Sequence, residues 1–233
     1  MQPEFRTIVA GTAGASQDFA LQQHKVLRNT YMLLALSLIP TVIGAAIGTN
    51  IDLGFMRTSP IISLIAILGI FYGWIYAIER NKESALGVVL LLGFTLFMGV
   101  LLGPLLHRVL GFKNGTELVM MAAGGTAAVF FVMAGIASNT KRDFSGMGNF
   151  LAVGAVVLML AMIANAFMVS PVLYLVVVGA FVLFSSLMIL WQVNTIVRGG
   201  ETNYISATLS LYISIYNLFS SLLQLLGIGG SSD

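Results

Sequence analysis

Ser210, Ser214, Asn217, Ser221 and Gln224 follow one another at steps of four, three, four and three, the repeat that stacks side chains on one face of an α-helix. Leu211, Ile215, Leu218, Leu222 and Leu225 form an apolar stripe beside them. Hydroxyls and amides so placed can line a wetted path, or they can hydrogen-bond neighbouring helices, which in lipid contributes about 0.6 kcal/mol per contact on average. Either use buries this face in protein. Upstream, Gln192 ends another apolar run, and the only charges between residues 190 and 219 are Arg198 and Glu201, in the loop that joins the two runs.

Charge decides how far the pathway reading goes. Ion and proton paths through membranes carry intramembrane carboxylates or histidines, because a dehydrated cation needs negative charge or converging carbonyls. Here the interior of every apolar run lacks Asp, Glu, Lys, Arg and His, while Glu79, Glu83, Glu117, Asp143 and Glu201 lie at run edges. His24 and His107 are far apart and expected on opposite sides, which excludes a two-histidine metal site. HExxH, GxSxG and paired intramembrane aspartates are absent, and there is no cysteine, so neither an enzyme nor a bound cofactor is expected. The net charge of +2 is small and dispersed, which excludes a nucleic-acid surface.

The elements that must position these residues are membrane spans. Of 233 residues, 58% are hydrophobic and 9% charged, with a mean hydropathy of +0.96, and a soluble domain of that size needs far more charge. About 20 apolar residues cross a bilayer, and a mid-bilayer charge costs about 2.5 to 3.5 kcal/mol, so charge-free intervals delimit helices. They predict spans at residues 31–47, 60–78, 84–106 and 118–137. The long interval from Phe144 to Val197 holds two more, divided at Ser170-Pro171, and residues 205–228 make the seventh. The expectation is an all-α integral membrane protein: residues 1–28 a flexible cytosolic tail, 29–228 a seven-helix domain, and 229–233 a short polar end. The tail lacks the apolar stretch of a signal peptide and is expected to be retained. The tail and the loops after spans 2, 4 and 6 hold eight of the eleven basic residues. The N-terminus is therefore expected in the cytoplasm and the C-terminus outside.

Small residues set the expected contacts. Gly44 and Gly48, Gly69 and Gly73, and Gly99 and Gly103 are three GxxxG pairs, which let helix backbones approach closely. Residues 122–128, rich in Ala and Gly, predict a further close contact in span 4.

The ordered segments "HKVLRNTYMLLALSL" (24–38), "GVLLGPLL" (99–106), "AAGGTAAVFF" (122–131), "TKRDFSGMG" (140–148) and "GGETNYISATLSLYISIYNLF" (199–219) resemble the Bax-inhibitor/YccA family of membrane proteins, from His24 to Gly227. The first and last are most similar to its bacterial YccA-type members, which modulate the membrane-bound ATP-dependent protease FtsH. The resemblance implies a central seventh helix wrapped by six others and a place in the bacterial inner membrane. As partners it implies the lipid bilayer, FtsH with its prohibitin-like companions, and membrane clients such as translocon components. The tail would be the handle that the protease grips. The family also includes pH-sensitive calcium-leak proteins that use two aspartates, in spans 6 and 7. Aligned on "LWQVN" and "YISIYNLF", those positions are Gln192 and Ser214, which cannot ionise near neutral pH, so the leak stands as the alternative to protease modulation.

Overall fold

The chain folds, in a computed structural model, into seven helices with no strand among the described residues, which are 4–51, 60–140, 142–144 and 146–230, with side chains from residue 21 onward except at 60, 61 and 64. Arg57 and Lys141, which enter the charge count that orients the chain, and the terminal residues 231–233 lie outside them. The helices are α1 (Glu4–Gly48), α2 (Pro60–Arg80), α3 (Ala85–Leu110), α4 (Gly115–Asn139), α5 (Met147–Met168), α6 (Pro171–Val197) and α7 (Tyr204–Gly230). Among the described residues, six of these, all but α2, are long and apolar enough to cross a membrane, α1 over Leu21–Gly48. The segment expected as a tail is continuous with α1 from Glu4 on, and α7 runs through Gly229 and Gly230, two residues into the expected polar end.

Local chemistry sets the boundaries. Between α5 and α6, Val169 turns left-handed at φ 48°, Ser170 accepts the Leu173 N–H on its side chain at 3.3 Å, and Pro171 opens α6 without an N–H to satisfy. The division read at Ser170-Pro171 is where the chain turns. Between α6 and α7, Gly199 takes φ 75°, a conformation costly for any side chain.

The core lies around α7, which touches α1, α2, α3, α4 and α6. Tyr212, Leu211, Leu218 and Leu223 on it are fully buried. Five helices surround it where six were expected, because α5 packs against α6 alone. The tightest seam is the parallel pair α1 and α3. A Cβ on Gly44 would stand 2.1 Å from Leu96 O, one on Gly99 2.2 Å from Thr41 O, and one on Gly103 2.1 Å from the Gly48 carbonyl carbon. These four glycines, Gly44, Gly48, Gly99 and Gly103, form one shared contact.

One feature of that seam follows from proline. Pro104 has no N–H, so the helical bond to the carbonyl four residues back, at Val100, is missing. Gly48 lies against that oxygen, where a Cβ would come within 2.3 Å. Close approach of Gly48 thus sets a Cα–H against a carbonyl that its own helix leaves open.

The third pair is different. Gly69 and Gly73 face open space, with nothing within 4 Å of a Cβ at either position. The α2 to α3 seam is made by Trp74, whose indole N–H donates to Leu90 O at 2.9 Å and whose ring packs on Gly93 and Phe97. In the small-residue run of α4 the contacts come from Ala122 and Thr126, both buried, while Gly124 faces open space. Spacing alone marks where a close approach is allowed, and the neighbour's position decides where one occurs.

Gly44→Ala and Gly99→Ala are each expected to lower stability by about 1 to 3 kcal/mol through overpacking against backbone. Gly69→Ala is expected to be neutral or to stabilise by up to about 1 kcal/mol through helix propensity. Denaturant unfolding in detergent micelles measures both, and equal losses at Gly44 and Gly69 would contradict the seam described.

Candidate functional site

The polar stripe of α7 meets α6. Ser214 is 4% and Gln192 7% exposed. The Ser214 hydroxyl donates to Gln192 Oε1 at 3.1 Å, with Ser210 O as an alternative acceptor at the same distance. The two positions singled out from the sequence are therefore partners in one buried, neutral hydrogen bond. An amide and a hydroxyl can exchange donors and acceptors but cannot bind or release a proton near neutral pH.

The rest of the stripe is uneven. Ser221 is buried, Asn217 and Gln224 are half-buried, and Ser210 is exposed, so the stripe is not wholly enclosed in protein as its spacing suggests. Gln224 is engaged at the far end of α6 and α7, where Tyr174 donates to its Oε1 and its amide donates to Ser220 O at 3.0 Å.

Further polar links on α7 lie outside the sequence-derived stripe. Tyr212, buried with its ring against Phe94, has its hydroxyl 2.9 Å from Thr41 Oγ1 and donates to Thr95 O at 3.3 Å, tying α7 to α1 and α3. Thr208 donates to Tyr204 O at 2.6 Å, with Thr30 O of α1 at 3.3 Å. Nothing in the residue spacing singles out Tyr212, since a tyrosine in an apolar run reads equally well as core or membrane-interface side chain.

At the N-terminal end of α7 the loops converge. Asn203 is its cap: Oδ1 accepts the Ile205 and Ser206 N–H groups at 2.8 and 3.1 Å. Its amide reaches across to donate to Lys82 O and Glu83 Oε1, each at 3.0 Å, and Ser206 donates to Glu79 Oε2 at 3.0 Å. Glu79 also pairs with Lys82 at 3.1 Å, and through that hydrogen bond and its charge holds the Lys82 ammonium above the usual lysine range. An asparagine just before an apolar run is a helix-start signal, so this cap was open to discovery in the sequence.

Arg198 and Glu201 take separate roles. Arg198 Nε lies 3.9 Å from Asp143 Oδ1, while Glu201 Oε1 accepts the Asn203 N–H at 2.8 Å. Asn194, buried one turn before Arg198, accepts the Phe144 N–H at 3.1 Å and donates towards Ala137 O and Arg142 O at 3.4 Å. The loops after α2, α4 and α6 thus form one end of the bundle. His24, at the start of the described side chains of α1, and His107, in the last turn of the parallel α3, lie at opposite ends.

Asn203→Ala is expected to cost about 1 to 2 kcal/mol through the lost cap. Asn203→Asp keeps the cap acceptor but sets a third carboxylate beside Glu83 and Glu201. Its stability deficit should shrink as pH falls and the added carboxyl is protonated. Thermal unfolding across pH 4 to 8 checks this, and a pH-independent deficit would contradict the geometry.

Comparison with known proteins supplies the context. The sequence model of the family described as "Inhibitor of apoptosis-promoting Bax1" matches residues 23–231. An uncharacterized protein of Neisseria meningitidis is 48% identical over 208 residues, 88% of this chain and 92% of its own length. "Modulator of FtsH protease YccA" of Escherichia coli K12 is 42% identical over 207 residues, 89% of this chain and 91% of its own. An uncharacterized membrane protein of Vibrio cholerae is 37% identical over 225 residues, 95% of this chain and 97% of its own.

Proposed function

Given that this chain belongs to the Bax inhibitor family, we propose that it is a seven-span inner-membrane protein that binds FtsH and modulates it as a substrate-like inhibitor. Its N-terminus lies in the cytoplasm and its C-terminus outside. The observation that carries this reading is the relative of E. coli, 42% identical over 89% of this chain, whose name is modulator of that protease. A relative from another E. coli strain, also 42% identical over 89% of this chain, is named an inner membrane protein.

The geometry gives the reading a physical form. A membrane protease that extracts its substrates by pulling must separate helices, and this bundle resists separation in two ways. Backbone meets backbone along α1 and α3, and α7 is hydrogen-bonded to α1, α2, α3 and α6. In this reading the segment 1–22 is the handle. The protease engages it, meets a bundle that yields slowly, and is thereby withheld from other membrane clients, translocon components among them. Its prohibitin-like companions would be held in the same assembly.

Deleting residues 1–22 is expected to abolish co-purification with FtsH and to restore turnover of a reporter membrane protein in cells. Unchanged capture and unchanged turnover would refute the handle.

A calcium or cation leak is the second reading, favoured by one observation: Gln192 and Ser214, the positions that match the aspartates of calcium-leaking relatives, face each other on α6 and α7. What this pair lacks is fixed charge. The double variant Gln192→Asp with Ser214→Asp is expected to gain a calcium flux into liposomes that varies with pH, because two carboxylates at that distance share a proton. Flux of equal size in the unsubstituted chain would favour the leak over protease modulation.

A further inference from the structure

Lys25 stands where two surfaces of the molecule meet. Along α1 the residues Leu21, Lys25, Arg28, Met32, Leu36 and Ile39 recur at steps of three and four and all are exposed, Met32 at 66% and Ile39 at 59%. Val26, Leu27, Thr30, Leu33 and Leu34 turn the opposite face into the bundle. In a chain whose helices are built to cross a membrane, the exposed stripe from Met32 onward meets acyl chains. At 1.5 Å per residue, Arg28 and Lys25 leave that stripe about 6 and 10 Å beyond Met32, the depth of lipid headgroups.

On its other side Lys25 lines a cleft of about 340 Å³ between α1 and the loop joining α6 to α7. Gln22, Asn29, Thr202 and Tyr204 supply polar groups to it, and Glu201 is the one carboxylate among its lining residues. The Oε1 of Glu201 accepts a single backbone N–H, from Asn203. A carboxylate accepts about four hydrogen bonds, so Glu201 has capacity for a cationic donor. A cation on the lipid-facing stripe and an anion lining the same cleft make a site with two poles.

We propose that this cleft binds the headgroup of a glycerophospholipid carrying both a phosphate and a terminal primary ammonium, the ethanolamine class. The phosphate lies on Lys25 and Arg28, and the ammonium reaches Glu201. A glycerol headgroup supplies the phosphate but brings no ammonium to the open acceptor positions of Glu201, whose charge otherwise interacts with Lys82. A choline headgroup supplies the charge but has no N–H to donate to the carboxylate. Continuity of Lys25 and Arg28 with the apolar stripe selects a lipid over a soluble molecule, because the acyl chains then lie along Met32, Leu36 and Ile39.

The test uses the full chain, reconstituted in vesicles of phosphatidylcholine containing equal shares of phosphatidylethanolamine and phosphatidylglycerol. The protein is then extracted in mild detergent, and retained lipid is identified by native mass spectrometry. The unsubstituted chain is expected to enrich the ethanolamine lipid over both others. Glu201→Gln is expected to lose that enrichment by about tenfold, the loss of one charge-assisted contact, while Lys25→Gln with Arg28→Gln lowers retention of both phosphatidylethanolamine and phosphatidylglycerol. Thr202→Phe narrows the cleft without altering charge and should reproduce the Glu201→Gln result in a protein whose helix content and unfolding temperature are unchanged. Equal ethanolamine retention by the unsubstituted chain and Glu201→Gln, or enrichment of phosphatidylglycerol over phosphatidylethanolamine, would overturn the proposal. Displacement of bound lipid by soluble O-phosphoethanolamine would overturn the choice of a lipid, and persistence of the lipid against it is the expected result.

Discussion

Inside hydrocarbon a hydroxyl, an amide or a carbonyl has no water to bond, so a polar group that the chain carries into the membrane is costly unless the protein supplies a partner; among the described side chains, Thr30 Oγ1, Asn165 Oδ1, Ser185 Oγ and Trp191 Nε1 are buried without one. That constraint organises this molecule around α7. Thr208 and Tyr212 reach α1 and α3, Ser214 and Gln224 reach α6, and Ser206 with the cap residue Asn203 reaches the end of α2. Each bond is modest, but the set fixes the rotation of α7 against four neighbours, α1, α2, α3 and α6. Together they give the helix one azimuth, which apolar side chains against apolar lipid would not select.

The seam between α1 and α3 meets the same constraint with backbone. Four glycines bring the two helices close enough for main chain to touch main chain, and Gly48 lies on the Val100 carbonyl that Pro104 leaves without its helical partner. A proline that would break a soluble helix is thus accommodated by a neighbour's lack of a side chain. α5 is the exception to both devices. It packs on α6 only, most of its surface is exposed apolar side chain, and it adds a lipid-facing wall rather than a link in the polar network.

The two ends of the bundle differ in the chemistry they offer. Around the N-terminus of α7, the loops after α2, α4 and α6 are joined by the Arg198–Asp143 ion pair and by the amides of Asn194 and Asn203, and the cleft beside Lys25 opens there. The middle of the bundle holds only neutral partners. A protein so built is suited to being held, gripped or docked at one end while its membrane core stays packed. The proposed modulation of a pulling protease would use that combination, and the alternative leak would need charge where Gln192 and Ser214 stand.

The sequence by itself determined the all-helical class, the breaks between helices, the turn at Ser170-Pro171 and the absence of intramembrane charge. Those follow from the cost of burying charge in lipid and from the backbone limits of proline, both properties of residues taken one at a time. The opposition of Gln192 and Ser214 was legible only through resemblance to relatives that have carboxylates there, and the structure placed them 3.1 Å apart. Only the tertiary structure decided which GxxxG pairs are contacts. Gly44, Gly48, Gly99 and Gly103 have the same spacing as Gly69 and Gly73, yet the first four meet backbone and the last two meet nothing. It also decided that Tyr212 is a polar hub and that Ser210 is exposed. Spacing fixes which side chains share a face of one helix, but what that face meets depends on the rotation and position of the others, which no single helix encodes.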